Sequence, residues 1–148
     1  MHKFEILLVE DNPGDAALLQ DLLPTSDGPG KCSNVRWIMN SADLIPYLRT
    51  REMASYRPDL IIVDYRMPLD GGRAIVEIKG DPDYRHIPLL VLTGSRSPED
   101  VFDVYRRGAN CCYRKPSSLE GYEALVRTIT EHWLAQACLP PFFGDDNS

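Results

Sequence analysis

The stretch Pro58-Asp59-Leu60-Ile61-Ile62-Val63-Asp64-Tyr65-Arg66-Met67-Pro68 decides the fold of this 148-residue chain. Its run of aliphatic residues ends on an aspartate, which is typical of a strand buried on both faces of a parallel sheet. Pro68 indicates that regular structure has ended by that point. Because parallel sheets bind ligands beyond the carboxyl ends of their strands, Asp64 is a candidate site residue.

The composition is that of an ordinary globular protein, with 43% apolar and 26% charged residues. The net charge of −6 argues against unaided binding to nucleic acid, whose phosphates attract basic surfaces. No apolar run approaches the ~20 residues that span a bilayer, and the first residues enter a strand without a secretory leader. The four cysteines form no CxxC motif. We therefore expect a reduced, cytoplasmic protein.

Strand and helix patterns alternate on both sides of this stretch. Strands are predicted at 4–9, 35–39, 60–64, 87–92 and 110–113. Helices are predicted at 13–23, 41–53, 74–78, 98–107 and 119–138. This alternation predicts an α/β protein with a doubly wound five-stranded parallel sheet of the flavodoxin-like order 2-1-3-4-5.

Side chains that could form a site follow the ends of four of these strands. In the predicted order strands 1 and 3 are neighbours, so Glu10, Asp11 and Asp64 should converge. Thr93 and Lys115 would close the same rim from strands 4 and 5. Taken singly, each has a structural explanation, since such acids cap helices and such rim residues are often only solvated.

Together, these residues favour metal-assisted phosphoryl chemistry. Three ionised carboxylates in one cleft repel one another and need a cation. Oxygen ligands without a nearby histidine favour Mg²⁺. The Lys115 ammonium and the Thr93 hydroxyl suit the oxygens of a phosphoryl group, and Asp64 could act as its acceptor.

Four motifs lie at these strand ends: Val9-Glu10-Asp11, the stretch from Pro58 to Pro68, Leu92-Thr93-Gly94 and Lys115-Pro116. With them, residues 4–131 resemble the receiver domains of two-component response regulators. The resemblance implies that Asp64 accepts a phosphoryl group from a phosphohistidine of a sensor histidine kinase. It also implies that Thr93 and Lys115 contact that group.

The resemblance further implies a metal site and a class of kinase. Asp11, Asp64 and the backbone carbonyl of Arg66 would hold Mg²⁺, with Glu10 acting through a water. Within the family the chain is most similar to the single-domain regulators paired with phytochrome kinases. That likeness depends on the long loop before strand 2 and on three stretches: Glu10-Asp11-Asn12-Pro13-Gly14-Asp15, Ala109-Asn110-Cys111 and Trp133-Leu134…Leu139-Pro140.

One position departs from the family pattern. Most receivers carry Tyr or Phe three residues before the lysine, whereas this chain has Cys112 there and Tyr113 one residue later. Because side chains alternate across a strand, the offset predicts that the Tyr113 ring faces the opposite side of the sheet. A bulge could restore it. Cys112 could be a reactive thiol or a small buried hydrophobic residue.

The C-terminal helix is predicted to be longer than the sheet. A helix over 119–138 spans about 30 Å, whereas a five-residue strand spans about 17 Å. We therefore divide the chain into a receiver domain at 1–131 and, at 132–148, a helix end and arm without a separate output domain. Residues proposed to form a dimer arm are Trp133, Leu134, Leu139, Phe142 and Phe143.

The dimer is expected to be symmetric and to use strand 5, helix 5 and this arm. The alternative is that the tail folds back onto its own domain.

The sequence thus predicts a phospho-accepting signalling switch that turns over no external substrate and acts by protein contact. One alternative is an interaction module that keeps the fold without phosphotransfer. Another is a Mg²⁺-dependent phosphatase with an aspartyl nucleophile. Such enzymes usually place a second acid two residues after the nucleophile, where this chain has Arg66.

Overall fold

The computed structural model of the chain describes residues 4–23, 33–50, 57–65 and 71–141, so Arg66, Phe142 and Phe143 lie outside the described residues. Five parallel strands form one sheet in the order β2-β1-β3-β4-β5, which confirms the predicted doubly wound architecture. The strands are β1 (Phe4–Val9), β2 (Ser33–Ile38), β3 (Leu60–Tyr65), β4 (Leu89–Thr93) and β5 (Cys111–Arg114). The helices are α1 (Pro13–Leu22), α2 (Leu44–Leu48), α3 (Gly71–Lys79), α4 (Pro98–Arg106) and α5 (Leu119–Ile129).

The central strand β3 is buried along its whole length, because helices cover both faces of the sheet. Ile61, Val63 and Tyr65 face a core cluster shared with α2, α3 and α4. Leu60 and Ile62 alternate with them and face a second cluster, shared with α1 and α5. The aliphatic run of β3 is continuous because its alternate side chains face two different cores, one on each side of the sheet.

The predicted starts of α1, α4 and α5 are confirmed, whereas α3 begins at Gly71, three residues before its predicted start. The Asn12 and Ser97 side chains cap α1 and α4, and a proline occupies the first turn of each helix. After α4, Gly108 adopts a φ of 117°, a backbone conformation that favours glycine. These caps fix where α1 and α4 begin relative to the strand ends.

The second helix is shorter than predicted. A 3₁₀ turn at Ser41–Asp43 leads into α2, which ends at Leu48. The N–H of Arg49 bonds back to carbonyls of the last turn, and its side chain pairs with Asp81 and Asp83. Residues 51–56, part of the predicted helix, lie outside the described residues.

The last helix continues beyond α5 as a π-helix, Thr130–Gln136. Leu134 was predicted to overhang the sheet, and this is wrong: it is 2% exposed and joins the core cluster of α1 and α5. Val126, Thr130 and Leu134 are four residues apart and lie on one buried face of the continuous helix. Trp133 and Leu139 are partly buried against the same cluster.

Within the described ranges, none of the helices combines the length and apolar character that crossing a membrane requires.

Candidate metal centre and its lysine

Three carboxylates meet at the carboxyl end of β1 and β3, as predicted. Glu10 follows β1, and Asp64 is the penultimate residue of β3. Their strands are neighbours, with Val9 paired to Val63. Glu10 is 1% and Asp64 8% exposed, whereas Asp11 is open to solvent. Carboxylate oxygens of the three acids lie within 4.8 Å of one another, which is close enough to share one cation.

Lys115 points into this cluster from the end of β5. Its Nζ lies 2.9 Å from Asp64 Oδ1, 3.1 Å from Asp15 Oδ2 and 3.5 Å from Glu10 Oε1. Its backbone N–H donates to the Thr93 carbonyl at 2.7 Å, which fixes the start of the side chain beside β4. Burial alone would lower the pKa of Lys115, but the Asp64 hydrogen bond and the charges of Asp64 and Glu10 raise it above its usual value. The ammonium therefore stays charged.

Asp15 belongs to the site although sequence reasoning did not select it. It lies in the first turn of α1, where its N–H donates to the Asn12 side chain at 3.0 Å. Its carboxylate reaches Lys115, 100 residues away in the chain. The Asn12-Pro13 helix start was a usable signal, because it places Asp15 in the helix turn nearest the strand ends.

The surroundings of the Glu10 carboxyl disfavour its charged form. Burial, followed by the hydrogen bond and the charge of Asp64, raises its pKa to about 8, although the charge of Lys115 and the Asn12 N–H oppose the increase. Oε2 accepts a hydrogen bond from the Asn12 N–H at 3.2 Å. The buried Oε1 accepts none from the described residues. An unsatisfied buried oxygen within a group of three acids fits a bound divalent cation.

Thr93 ends β4 on the other side of Asp64 and is 1% exposed. Its Oγ1 accepts a hydrogen bond from the Ser95 N–H at 3.0 Å. The Ser95 hydroxyl in turn donates to Asp100 in the first turn of α4. Thr93 thus connects the rim of the site to the start of α4.

Tyr65 is a second residue that sequence reasoning did not select. It directly follows Asp64, but its side chain faces the other side of the sheet, and its hydroxyl donates to Asp103 Oδ2 of α4 at 2.8 Å. Strand alternation alone predicts its face. The contact with Asp103 depends on the position of α4, which sequence patterns do not supply.

The structure places Cys112 and Tyr113 on opposite faces, with unbroken register to β4 and therefore without a bulge. Cys112 packs against the core cluster of α2, α3 and α4, where burial raises the pKa of its thiol. Tyr113 packs on the α1 and α5 side, and its hydroxyl accepts a 3.3 Å hydrogen bond from Trp133 Nε1. The outward N–H of Cys112 donates to the hydroxyl of Tyr105 on α4 at 3.0 Å.

Comparison with known proteins agrees with this geometry. Residues 6–127 match the response regulator receiver domain family. Response regulator Rcp1 of Synechocystis sp. is 35% identical over 136 residues, which cover 91% of this chain and 92% of that protein.

Two solved structures also resemble the chain. The phosphorylated cyanobacterial phytochrome response regulator RcpA is 36% identical, with a TM-score of 0.84 over 95% of this chain and 100% of that one. The Mn²⁺-bound form of Rcp1 is 33% identical, with a TM-score of 0.80 over 93% and 99% of the two chains. The fold, the acidic cluster with its lysine and these matches lead to one conclusion: the chain belongs to the response regulator receiver family.

Proposed function

We propose that Asp64 accepts a phosphoryl group from a phosphohistidine of a sensor histidine kinase and that the chain then signals by protein contact. The observation that carries this proposal is the 2.9 Å contact between Asp64 Oδ1 and Lys115 Nζ beside two further carboxylates. A cation at this distance favours the ionised form of a carboxylate, which is the nucleophilic form.

The neighbouring side chains suit the charge that develops during transfer. The Lys115 ammonium lies where it can neutralise a phosphoryl oxygen on Asp64. Thr93 accepts from Ser95, so its own hydroxyl hydrogen can donate to a second phosphoryl oxygen. Transfer forms the bond from an Asp64 oxygen to phosphorus as the bond from phosphorus to the histidine nitrogen breaks.

Magnesium is the proposed cation. Asp11 and Asp64 would hold it directly, Glu10 would act through a water, and the backbone carbonyl of Arg66, a residue outside the described ranges, would complete the protein ligands. When bound, the ion neutralises phosphoryl oxygens. The Mn²⁺-bound structure of Rcp1 supports a divalent ion in a relative of this chain.

Intact-mass spectrometry after incubation with Mg²⁺ and acetyl phosphate tests the proposal. We expect one labile phosphoryl adduct in the wild type and none in Asp64→Asn. Asp59→Asn is the matched control, because Asp59 precedes β3 at the opposite end of the strand, where it bonds the Glu5 N–H. Absence of the adduct from the wild type would favour an inert interaction module. Sustained hydrolysis of an added phosphomonoester would favour the phosphatase.

We further propose that the donor is a phytochrome-type kinase and that the pair works in the cytoplasm without nucleic acid. The likeness to RcpA and Rcp1 supports the donor, and the net charge of −6 is unfavourable for binding nucleic acid. A purified phytochrome kinase should transfer radiolabelled phosphate to this chain faster than an unrelated histidine kinase does. Equal rates would remove the support for this pairing.

A homodimer through β5, α5 and the C-terminal arm is also proposed. Leu119 at the start of α5 is 54% exposed, and Trp133 and Leu139, near and beyond the other end of the last helix, are only partly buried. Sedimentation of a chain ending at Cys138 tests the contribution of the arm, since that truncation retains the core residue Leu134. We expect weaker dimerisation than in the full chain, and an unchanged association constant would exclude the arm.

A further inference from the structure

The buried Tyr65 side chain connects the site to α4. Its ring is 3% exposed and lies in the core cluster that β3 shares with α3 and α4. Its hydroxyl donates to Asp103 Oδ2 at 2.8 Å. Tyr65 directly follows Asp64 in the chain and pairs with Thr93 on β4, and both of these residues belong to the phosphoryl site.

Asp103 is held in place by α4 itself. Arg107 Nε donates to Oδ2 and Arg106 Nη2 to Oδ1, each at 2.7 Å. The Arg107 hydrogen bond, followed by that of Tyr65, lowers the pKa of Asp103 to about 2, so it is ionised at neutral pH. A charged acceptor makes the Tyr65 hydrogen bond stronger than a bond between neutral groups.

Gly72 on α3 leaves room for this arrangement. A Cβ at position 72 would lie 3.3 Å from a Tyr65 ring carbon and 3.1 Å from Arg107 Nη1. Both side chains thus pack directly on the backbone of α3.

A second contact ties the same face of α4 to the site. The Ser95 hydroxyl, two residues after Thr93, donates to Asp100. Asp100 and Asp103 are three residues apart and therefore lie on one side of α4. The helix is attached at two points, one beside the phosphoryl acceptor and one beside the threonine.

The strand position that usually carries a ring in this family cannot supply this link, since Cys112 is there. Among the described strand residues, Tyr65 is the one aromatic side chain in the core cluster beside α4. On the face of the sheet where most receivers carry a β5 aromatic ring, the aromatic side chain therefore comes from Tyr65 on β3.

We propose that Tyr65 is a positioning residue that transmits the state of Asp64 to α4 through its hydrogen bond to Asp103. This inference rests on the proposed phosphorylation of Asp64. The Tyr65 side chain follows the backbone torsions next to Asp64, so a rearrangement there moves the hydroxyl relative to the helix. Loss or reorientation of one bond then changes how firmly α4 is held.

Hydrogen exchange of the full chain, with and without acetyl phosphate and Mg²⁺, tests this. In the wild type, phosphorylation should change amide exchange in α4 about fivefold or more, whereas in Tyr65→Phe the change should fall below about twofold. Mass spectrometry of the same samples reports occupancy of Asp64, which should remain. Tyr84→Phe is the matched control, because Tyr84 is a buried tyrosine of the same cluster whose hydroxyl bonds the Leu48 carbonyl.

Asp103→Leu removes the acceptor at a similar side-chain size and provides an independent variant. The double variant with Tyr65→Phe should behave as either single variant does, because both remove the same link. A full exchange response in phosphorylated Tyr65→Phe would overturn the inference. So would an unresponsive α4 in the phosphorylated wild type. A wild type that takes no phosphoryl group would instead refute the proposed function.

Discussion

At the residue scale, the raised pKa of Glu10 should couple the release of a proton to metal binding. Its pKa of about 8 lies far above the ordinary value of 4.5, mainly because the carboxyl is buried beside Asp64. Between these values the metal-free native state holds a proton that the unfolded chain has released. The free energy of unfolding of the metal-free protein should therefore fall as pH rises through this window.

Metal binding should release the Glu10 proton, so Mg²⁺ affinity should increase with pH up to about 8. Titration calorimetry at pH 7 in two buffers of different ionisation enthalpy measures the proton release. Glu10→Gln should abolish most of it, since the amide does not titrate. Equal proton release in wild type and variant would assign the proton to another group.

How far the site was predictable also depends on single residues. Glu10, Asp64, Thr93 and Lys115 each end an apolar run, so strand periodicity and the sheet order were enough to bring them together. Asp15 was not selected because its role requires the reach of a lysine side chain 100 residues later. Such a contact follows from the packing of α1 against the sheet, which local patterns do not contain.

At the scale of elements, the end of the last helix stabilises the domain itself. Leu134 in the π-helix is buried with α1 and α5, so Leu134→Ala should lower the free energy of unfolding by about 2–5 kcal/mol. Leu119→Ala, at an exposed position of α5, should change the free energy of unfolding of the monomer by less than about 0.5 kcal/mol. Urea denaturation at one fixed protein concentration compares them.

Similar small effects of the two leucine substitutions would show that the π-helix adds little to the core. The sequence predicted a long final helix correctly as a continuous element, but it did not predict the π turns. Hydrophobic spacing is compatible with both helix types there. Leu134 is buried because the end of the helix packs into the cluster of α1 and α5, a contact that comparing the lengths of helix and strand does not reveal.

At the scale of the whole molecule, metal binding at the acidic cluster should increase global stability. Binding to the native state alone should raise the free energy of unfolding by about 2.7 kcal/mol at a Mg²⁺ concentration 100 times the dissociation constant. Asp11→Asn removes one proposed ligand and should shift this stabilisation to higher Mg²⁺ concentration. Thermal unfolding across a Mg²⁺ series measures both.

Asp21→Asn, an exposed acid on α1 away from the cluster, is the control for general salt effects in that series. It should follow the wild-type curve. If Asp11→Asn also followed that curve, Asp11 would not be a ligand. The sheet order and the faces of its strands could be predicted from hydrophobic periodicity. The expected dependence of stability on Mg²⁺ comes instead from three acids that meet at the carboxyl ends of β1 and β3.

The hydrogen bond from the Cys112 N–H to Tyr105 has a consequence for self-assembly. An edge strand with unbonded N–H groups is a template on which another chain can pair, and this is a common route to fibrous aggregates. At β5 a tyrosine hydroxyl already occupies one of those groups. A strand that paired with this N–H would have to displace the Tyr105 hydroxyl, so α4 makes the β5 edge less available for strand addition.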